Sequence, residues 1–277
     1  MTYLKSFITL VTLLFSSFAY ADVLVLVHGY QGSANSWEQT GINTILENND
    51  WHRGGLFTGS INGPQLLTHA GKDKKNKVYV VDLPSESPVM IQANLLSGML
   101  NTVRNLHQDE ALIIVGHSAG GVVARMSLIT AGSKNVSALI TIASPHIGTT
   151  RAEDALNVTA NHGPFNIVKN IFGGSGYDTL QRSKGLLIDL IRPRPGNMLF
   201  WLNAQPHPDI DYVSVVRTNP VGFAGDDLVP GYSQDMNNIP VLKGKSAVFT
   251  TPQGHTLEPY DGETIVQTLK HLDITAD

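Results

Sequence analysis

The segment Gly116-His117-Ser118-Ala119-Gly120 combines residue types and spacing that suit covalent catalysis. A serine hydroxyl is a weak nucleophile unless a base removes its proton and the chain presents it clear of its neighbours. A sharp strand-to-helix turn does the second, and only small residues fit beside the serine in such a turn. The apolar run Leu112-Ile113-Ile114-Val115 precedes the motif and a helical pattern from Gly121 to Ala131 follows it, so the context is strand, turn, helix. Ser118 is the expected nucleophile. Gly116 and Gly120 supply room, and Gly121 allows close packing of the helix.

Histidine titrates near neutrality and is the usual partner for such a hydroxyl. The chain has ten histidines, so position must select among them. His255 lies in Thr250-Thr251-Pro252-Gln253-Gly254-His255, after the last apolar run and before the C-terminal helical pattern. That places it on the loop side that carries Ser118, and it is the expected base. His117 adjoins the nucleophile but is expected to point away from it. His28 is expected to pack under the loop after the first strand, and His146 to line the substrate pocket.

A base needs an acid to fix its tautomer and to stabilise the imidazolium. Gly225-Asp226-Asp227-Leu228-Val229-Pro230 offers two carboxylates, of which Asp226 is favoured and Asp227 is assigned to solvent or loop capping. The tetrahedral intermediate also needs two N–H donors for its oxyanion. Ala119, just after the nucleophile, and Tyr30, in His28-Gly29-Tyr30-Gln31-Gly32 after the first strand, are expected to supply them. Gln31 is expected to contact substrate. No cofactor and no metal are expected.

These pieces resemble the α/β-hydrolase family, and within it the small secreted bacterial lipases and esterases. The resemblance rests on Val27-His28-Gly29-Tyr30, the Gly116 to Gly120 turn, Ala143-Ser144-Pro145-His146-Ile147-Gly148, Asp226-Asp227-Leu228-Val229-Pro230 and Gly254-His255. It implies a Ser-Asp-His chain order and an acid at Asp226, from the Asp-x-x-Val-Pro form. The sequence departs from the family's pattern in that its first apolar run begins at Val23, so the family's first two strands are expected to be missing, a trimmed form that the small secreted lipases share.

The elements that must hold these residues are legible as β-branched runs. Val23 to Val27, Val78 to Val81, Ala111 to Val115, Ala138 to Ala143, Tyr212 to Val216 and Ala247 to Phe249 are apolar on both faces, as buried parallel strands are. Helical patterns separate them at Ser36 to Glu47, Pro88 to His107, Gly121 to Ala131 and Leu257 to Leu272. In the second, Ile91, Leu95, Met99, Val103 and Leu106 form the expected core stripe. The expected fold is α/β, with a mostly parallel sheet of about six strands flanked by helices. The stretch from about 146 to 203 is too long for a simple crossover and is expected to form a cap or lid over the site. Its apolar pieces, Ile167 to Phe172 and Leu186 to Ile191, suggest a greasy acyl site.

Composition bounds the function classes. The chain has 277 residues, 42% hydrophobic and 15% charged, with a net charge of -4. Lys72 to Lys77, the only basic cluster, reads as a solvated loop, so no nucleic-acid partner is expected. The absence of cysteine excludes a thiol nucleophile and a Cys-ligated metal. Residues 1–21 read as a signal peptide, with a basic start, an apolar Phe7 to Phe18 and a small-x-small site at Ala19-Tyr20-Ala21. The expectation is an exported carboxylic ester hydrolase, periplasmic or secreted, acting on a small-molecule or lipid ester with transient contact to a lipid surface. A phospholipase or acyltransferase acting on envelope lipids, and a non-catalytic binding protein on the same fold, are the alternative readings.

Overall fold

The computed structural model describes residues 22–60, 63–67, 76–161, 177–219 and 221–274. The leader read at 1–21, the apolar piece Ile167 to Phe172 and most of the Lys72 to Lys77 cluster lie outside them. Of that cluster, Asn76 and Lys77 are described and are buried at the start of a strand rather than solvated.

Among the described residues, eight strands form one sheet: β1 (Val23–Val27), β2 (His52–Ser60), β3 (Gly63–Leu66), β4 (Lys77–Asp82), β5 (Leu112–His117), β6 (Val136–Ile142), β7 (Asp211–Arg217) and β8 (Ser246–Thr251). Their order is β3-β2-β4-β1-β5-β6-β7-β8. Every neighbouring pair is parallel except β2 with β3. The helices are α1 (Ser36–Gln39), α2 (Ile42–Glu47), α3 (Val89–Leu106), α4 (Ala119–Ala131), α5 (Thr150–Asn161), α6 (Tyr177–Arg182), α7 (Lys184–Asp189), α8 (Met198–Ala204), α9 (Gly231–Gln234) and α10 (Pro259–His271).

Side chains alternate along β1 between two cores. Val23, Val25 and Val27 face α3 and α4, whereas Leu24 and Leu26 pack with Trp37, Ile42, Leu46 and the α10 residues Ile265 and Leu269. Burial on both faces is why these strands are continuously apolar and therefore readable.

The sheet differs from expectation in one respect. Among the described residues it has eight strands rather than about six, the additional two lying on the flank beyond β4. The β2–β3 hairpin fills that flank, entering the chain after β1. Its sequence hides it: β2 reads His-Arg-Gly-Gly-Leu-Phe-Thr-Gly-Ser, is only partly buried and carries three glycines, and β3 contains Pro64. Proline is tolerated there because an edge strand has an unpaired side. In α3 the buried stripe is Val89, Ala93, Leu96, Leu100 and Val103 together with Met99, while Ile91 and Leu106 are exposed. The helix carries two apolar stripes, and small residues on one of them permit close approach to α4, where Ser97 Oγ lies 2.9 Å from Ser127 Oγ.

Register explains how distant residues meet. Val27 pairs with Val81 and Gly116, His117 with Ile142, Ile142 with Val215, and Val215 with Phe249. The carboxyl ends of β1, β5, β6, β7 and β8 therefore lie level, and the loops leaving them share one edge. In open α/β sheets that edge is where ligands bind. Helices α5 to α8, between β6 and β7, form the insertion, and among the described residues no helix is long and apolar enough to cross a membrane.

Candidate active site

β5 stops at His117 and α4 starts at Ala119, so one residue makes the whole reversal. Ser118 has φ 52° and ψ -128°, a conformation costly for a residue with a side chain. Its N–H donates to the Ile142 carbonyl at 2.8 Å, which ties the turn to β6. A Cβ at Gly120 would lie 2.4 Å from the His28 carbonyl oxygen, so only glycine lets α4 pass this close to β1. A Cβ at Gly29 would lie 2.7 Å from Ser118 Cβ, so the turn after β1 presses directly on the serine.

The loop after β8 brings His255 to this serine, with Nε2 2.9 Å from Ser118 Oγ. On the other side of the ring, Nδ1 lies 2.9 Å from Asp226 Oδ2. Asp226 is an acceptor only, so Nδ1 carries the proton and the Nε2 lone pair faces the serine hydroxyl. The Asp226 side chain is 1% exposed. Burial alone would raise its pKa, but the hydrogen bond and charge of His255 and the N–H groups of Val229 and Leu228 hold it below the usual carboxylate value. Those N–H groups reach Oδ1 at 2.7 and 2.8 Å, and Gln234 Nε2 donates to Oδ2 at 3.0 Å. Asp227 is exposed, and its carbonyl accepts from Arg151 Nε.

The cleft above Ser118 measures about 210 Å³. Tyr30 and Gln31 line it from the turn after β1, Leu187 and Leu190 from the insertion, and Leu228 and Val229 from the acid loop. Ala119 is the first residue of α4, where backbone N–H groups lack an intrahelical acceptor and favour an anion. His28 is buried, as expected under this turn, with Nδ1 on the Gly29 carbonyl and Nε2 accepting from Leu83 N–H.

His117 does not point away as the sequence suggested. It lines the cleft, and its Nε2 donates to the His255 carbonyl at 2.8 Å. Burial, and then the neighbouring His255, push its pKa down to about 3, so it stays a neutral donor that holds the loop carrying His255. Sequence carries no signal for this contact or for Gln234, because each depends on a partner brought in by the fold.

His146 is a second correction. It is fully buried and does not line the cleft. Arg125 on α4 is also fully buried, and no carboxylate pairs with it among the described residues. Its guanidinium instead finds Asn203 Oδ1 at 2.8 Å, His207 Nε2 at 3.0 Å and His146 Nδ1 at 3.2 Å. A buried guanidinium without acceptors is costly, and that need turns His146 inward. Both imidazoles accept from Arg125 and must be neutral to do so.

This cluster has a pH consequence. Burial, then Arg125, lower the His207 pKa to about 4 and that of His146 well below its ordinary value. A depressed histidine contributes stability that is complete above pH ~6.5 and is lost as pH falls through the folded value. Asp22, raised to about 6 by burial and by Glu110, acts in the opposite sense. Asp189, raised by burial, acts in that sense too. His28, His117 and His146 then tip the balance. The thermal unfolding midpoint is expected to fall between pH 7 and pH 4, and a flat midpoint would contradict the neutral cluster.

Comparison with known proteins fits this architecture. A sequence-family profile described as "PGAP1-like alpha/beta domain" matches residues 21–170, a span that includes the Tyr30 turn and Ser118 but stops short of Asp226 and His255. No curated protein matches the sequence. Among solved structures, the mature form of the Bacillus licheniformis lipase BlEst2 superposes with a TM-score of 0.61 at 15% identity, over 92% of each chain. A Listeria innocua gene product gives 0.58 at 16% identity, over 90% of this chain and 94% of that one. The esterase EaEST of Exiguobacterium antarcticum gives 0.52 at 16% identity, over 91% of each. At such identities the likeness is one of fold, and the fold is that of the α/β hydrolases.

Proposed function

Because the chain belongs to the PGAP1-like alpha/beta domain family, with its sheet built as in the α/β hydrolases, we propose that it is an exported serine hydrolase of carboxylic esters. The observation that carries this reading is the unbroken chain from Ser118 Oγ through the His255 ring to Asp226, with 2.9 Å at each link. Fold similarity alone would not carry it, since function resides in the site.

In the proposed reaction His255 Nε2 takes the hydroxyl proton of Ser118 as Oγ attacks the ester carbonyl. Asp226 stabilises the imidazolium without taking its proton. The N–H groups of Ala119 and Tyr30 receive the oxyanion. Collapse of the intermediate expels the alkoxide, which leaves as the alcohol with the proton from His255. Water then attacks the acyl-enzyme, with His255 again as base, and releases the acid and free Ser118. Leu187, Leu190, Leu228 and Val229 make an apolar wall beside the serine, which suits the hydrocarbon part of an ester. Export rests on the leader pattern at residues 1–21, and lipid-surface contact on the choice of a lipid ester. The lipase BlEst2 and the esterase EaEST, whose folds superpose on this chain, are precedents for such an activity.

The purified chain is expected to hydrolyse p-nitrophenyl esters with a clear optimum in acyl length, because the wall is apolar and the cleft small. Absence of turnover at every length would contradict the reading.

A further inference from the structure

We propose that Gln234 is a positioning residue for Asp226: its side-chain amide locks the carboxylate in the orientation that faces His255. Gln234 ends α9, is buried, and uses both ends of its amide. Its Oε1 accepts from the Arg217 backbone N–H at 2.8 Å. Its Nε2 donates to Asp226 Oδ2 at 3.0 Å and to the Val229 carbonyl at 2.8 Å.

A backbone N–H can only donate, so the bond from Arg217 fixes which end of the amide is oxygen. The NH₂ end must therefore meet Asp226. The carboxylate then receives four donors: Leu228 and Val229 N–H on Oδ1, and Gln234 Nε2 and His255 Nδ1 on Oδ2. Four is about the acceptor capacity of a carboxylate. Without Gln234, the oxygen that orients the base would be held by the base alone.

Other charged and titratable groups surround the pair. His117 reaches the His255 carbonyl from the β5–α4 turn. Arg217, at the end of β7, is closed in a buried bidentate pair with Asp261 of α10. Asp227 is exposed beside Asp226, with Arg151 on its carbonyl. Glu258 lies at the start of α10, where Gln253 donates to it.

Two substitutions separate positioning from packing. Gln234→Met keeps an unbranched side chain and removes the donor. Gln234→Glu replaces the donor with a carboxyl that can donate only while protonated. Two carboxyls in contact share a proton and titrate as a coupled pair.

The test is ¹³C NMR titration of the Asp226 carboxyl in the full chain, beside pH–rate profiles for a p-nitrophenyl ester. In Gln234→Met the Asp226 midpoint is expected to rise, and kcat to fall about 10- to 100-fold with KM unchanged. In Gln234→Glu two coupled steps are expected in the titration. Relative to wild type, its activity should survive while the introduced carboxyl is protonated and decline as it ionises, giving an alkaline limb that is not expected in the wild type. Titrations and profiles that superpose on wild type overturn the proposal, and so does failure of both variants to fold, which would make Gln234 a packing residue. The kinetic arm rests on the proposed ester hydrolysis, but the titration does not. A shifted midpoint in a chain without esterase activity would fault that functional reading and leave the positioning role standing.

Discussion

Replacing Ser118 by alanine is expected to lower kcat for ester hydrolysis by about 10⁶-fold, as loss of the nucleophile does in other serine triads. The size follows from how the parts depend on one another. His255 has a lone pair at Nε2 only because Asp226 holds the proton at Nδ1, and that lone pair is useful only against Ser118 Oγ at 2.9 Å. Removing the hydroxyl leaves the base with nothing to activate but water. Residual rate would come from binding and from the oxyanion donors, of order 10³–10⁴ over water. The fold should be unaffected, since the Ser118 backbone remains tied to Ile142. The far-ultraviolet dichroism and unfolding midpoint of the variant are expected to match wild type. Retention of more than a few per cent of kcat would remove Ser118 from the mechanism.

The second large effect is expected at the acid. Asp226→Asn should lower kcat by about 10⁴-fold, whereas Asp227→Asn should leave it within about twofold. An amide at 226 must still accept from Leu228 and Val229 N–H, so its oxygen stays on that side. Its NH₂ would then face both His255 Nδ1 and the Gln234 NH₂. Two donors would oppose each other at Gln234, and His255 would have to shift its proton to Nε2 to accept at Nδ1. A proton at Nε2 blocks the abstraction from Ser118. Asp227 is exposed and belongs to the same loop, so it controls for loop disturbance. Equal losses in the two variants would contradict the assignment of the acid.

How much of this was legible in sequence depended on how local each cause was. The Ser118 turn could be read because strand, small neighbours and helix are contiguous. Asp226 and the Tyr30 turn could be placed because each follows a run that is apolar on both faces, and so betrays a buried parallel strand, whereas His255 follows the edge strand β8, which is only partly buried and was marked by the short run Ala247-Val248-Phe249 alone. β2 and β3 could not, because an edge hairpin buries one face at most and here carries Gly54, Gly55, Gly59 and Pro64. α3 offered two apolar stripes, and only contact with α4 decides between them. His146 was assigned to the pocket from its place after β6. Its ring turns instead to Arg125, a demand set by burial of a charge on another element. His117 and Gln234 act through contacts with His255 and Asp226 that only the assembled sheet edge creates.

Ser118 is expected to form a covalent bond with substrate-like electrophiles, with His255 as its base. Labelling the intact chain with a fluorophosphonate, followed by peptide mass spectrometry, reads out that bond. One adduct is expected, on the peptide containing Ser118, with its formation abolished in Ser118→Ala and strongly slowed in His255→Ala. An intact, ester-hydrolysing chain that takes no label, or takes it at a residue other than Ser118, would exclude Ser118 as the nucleophile.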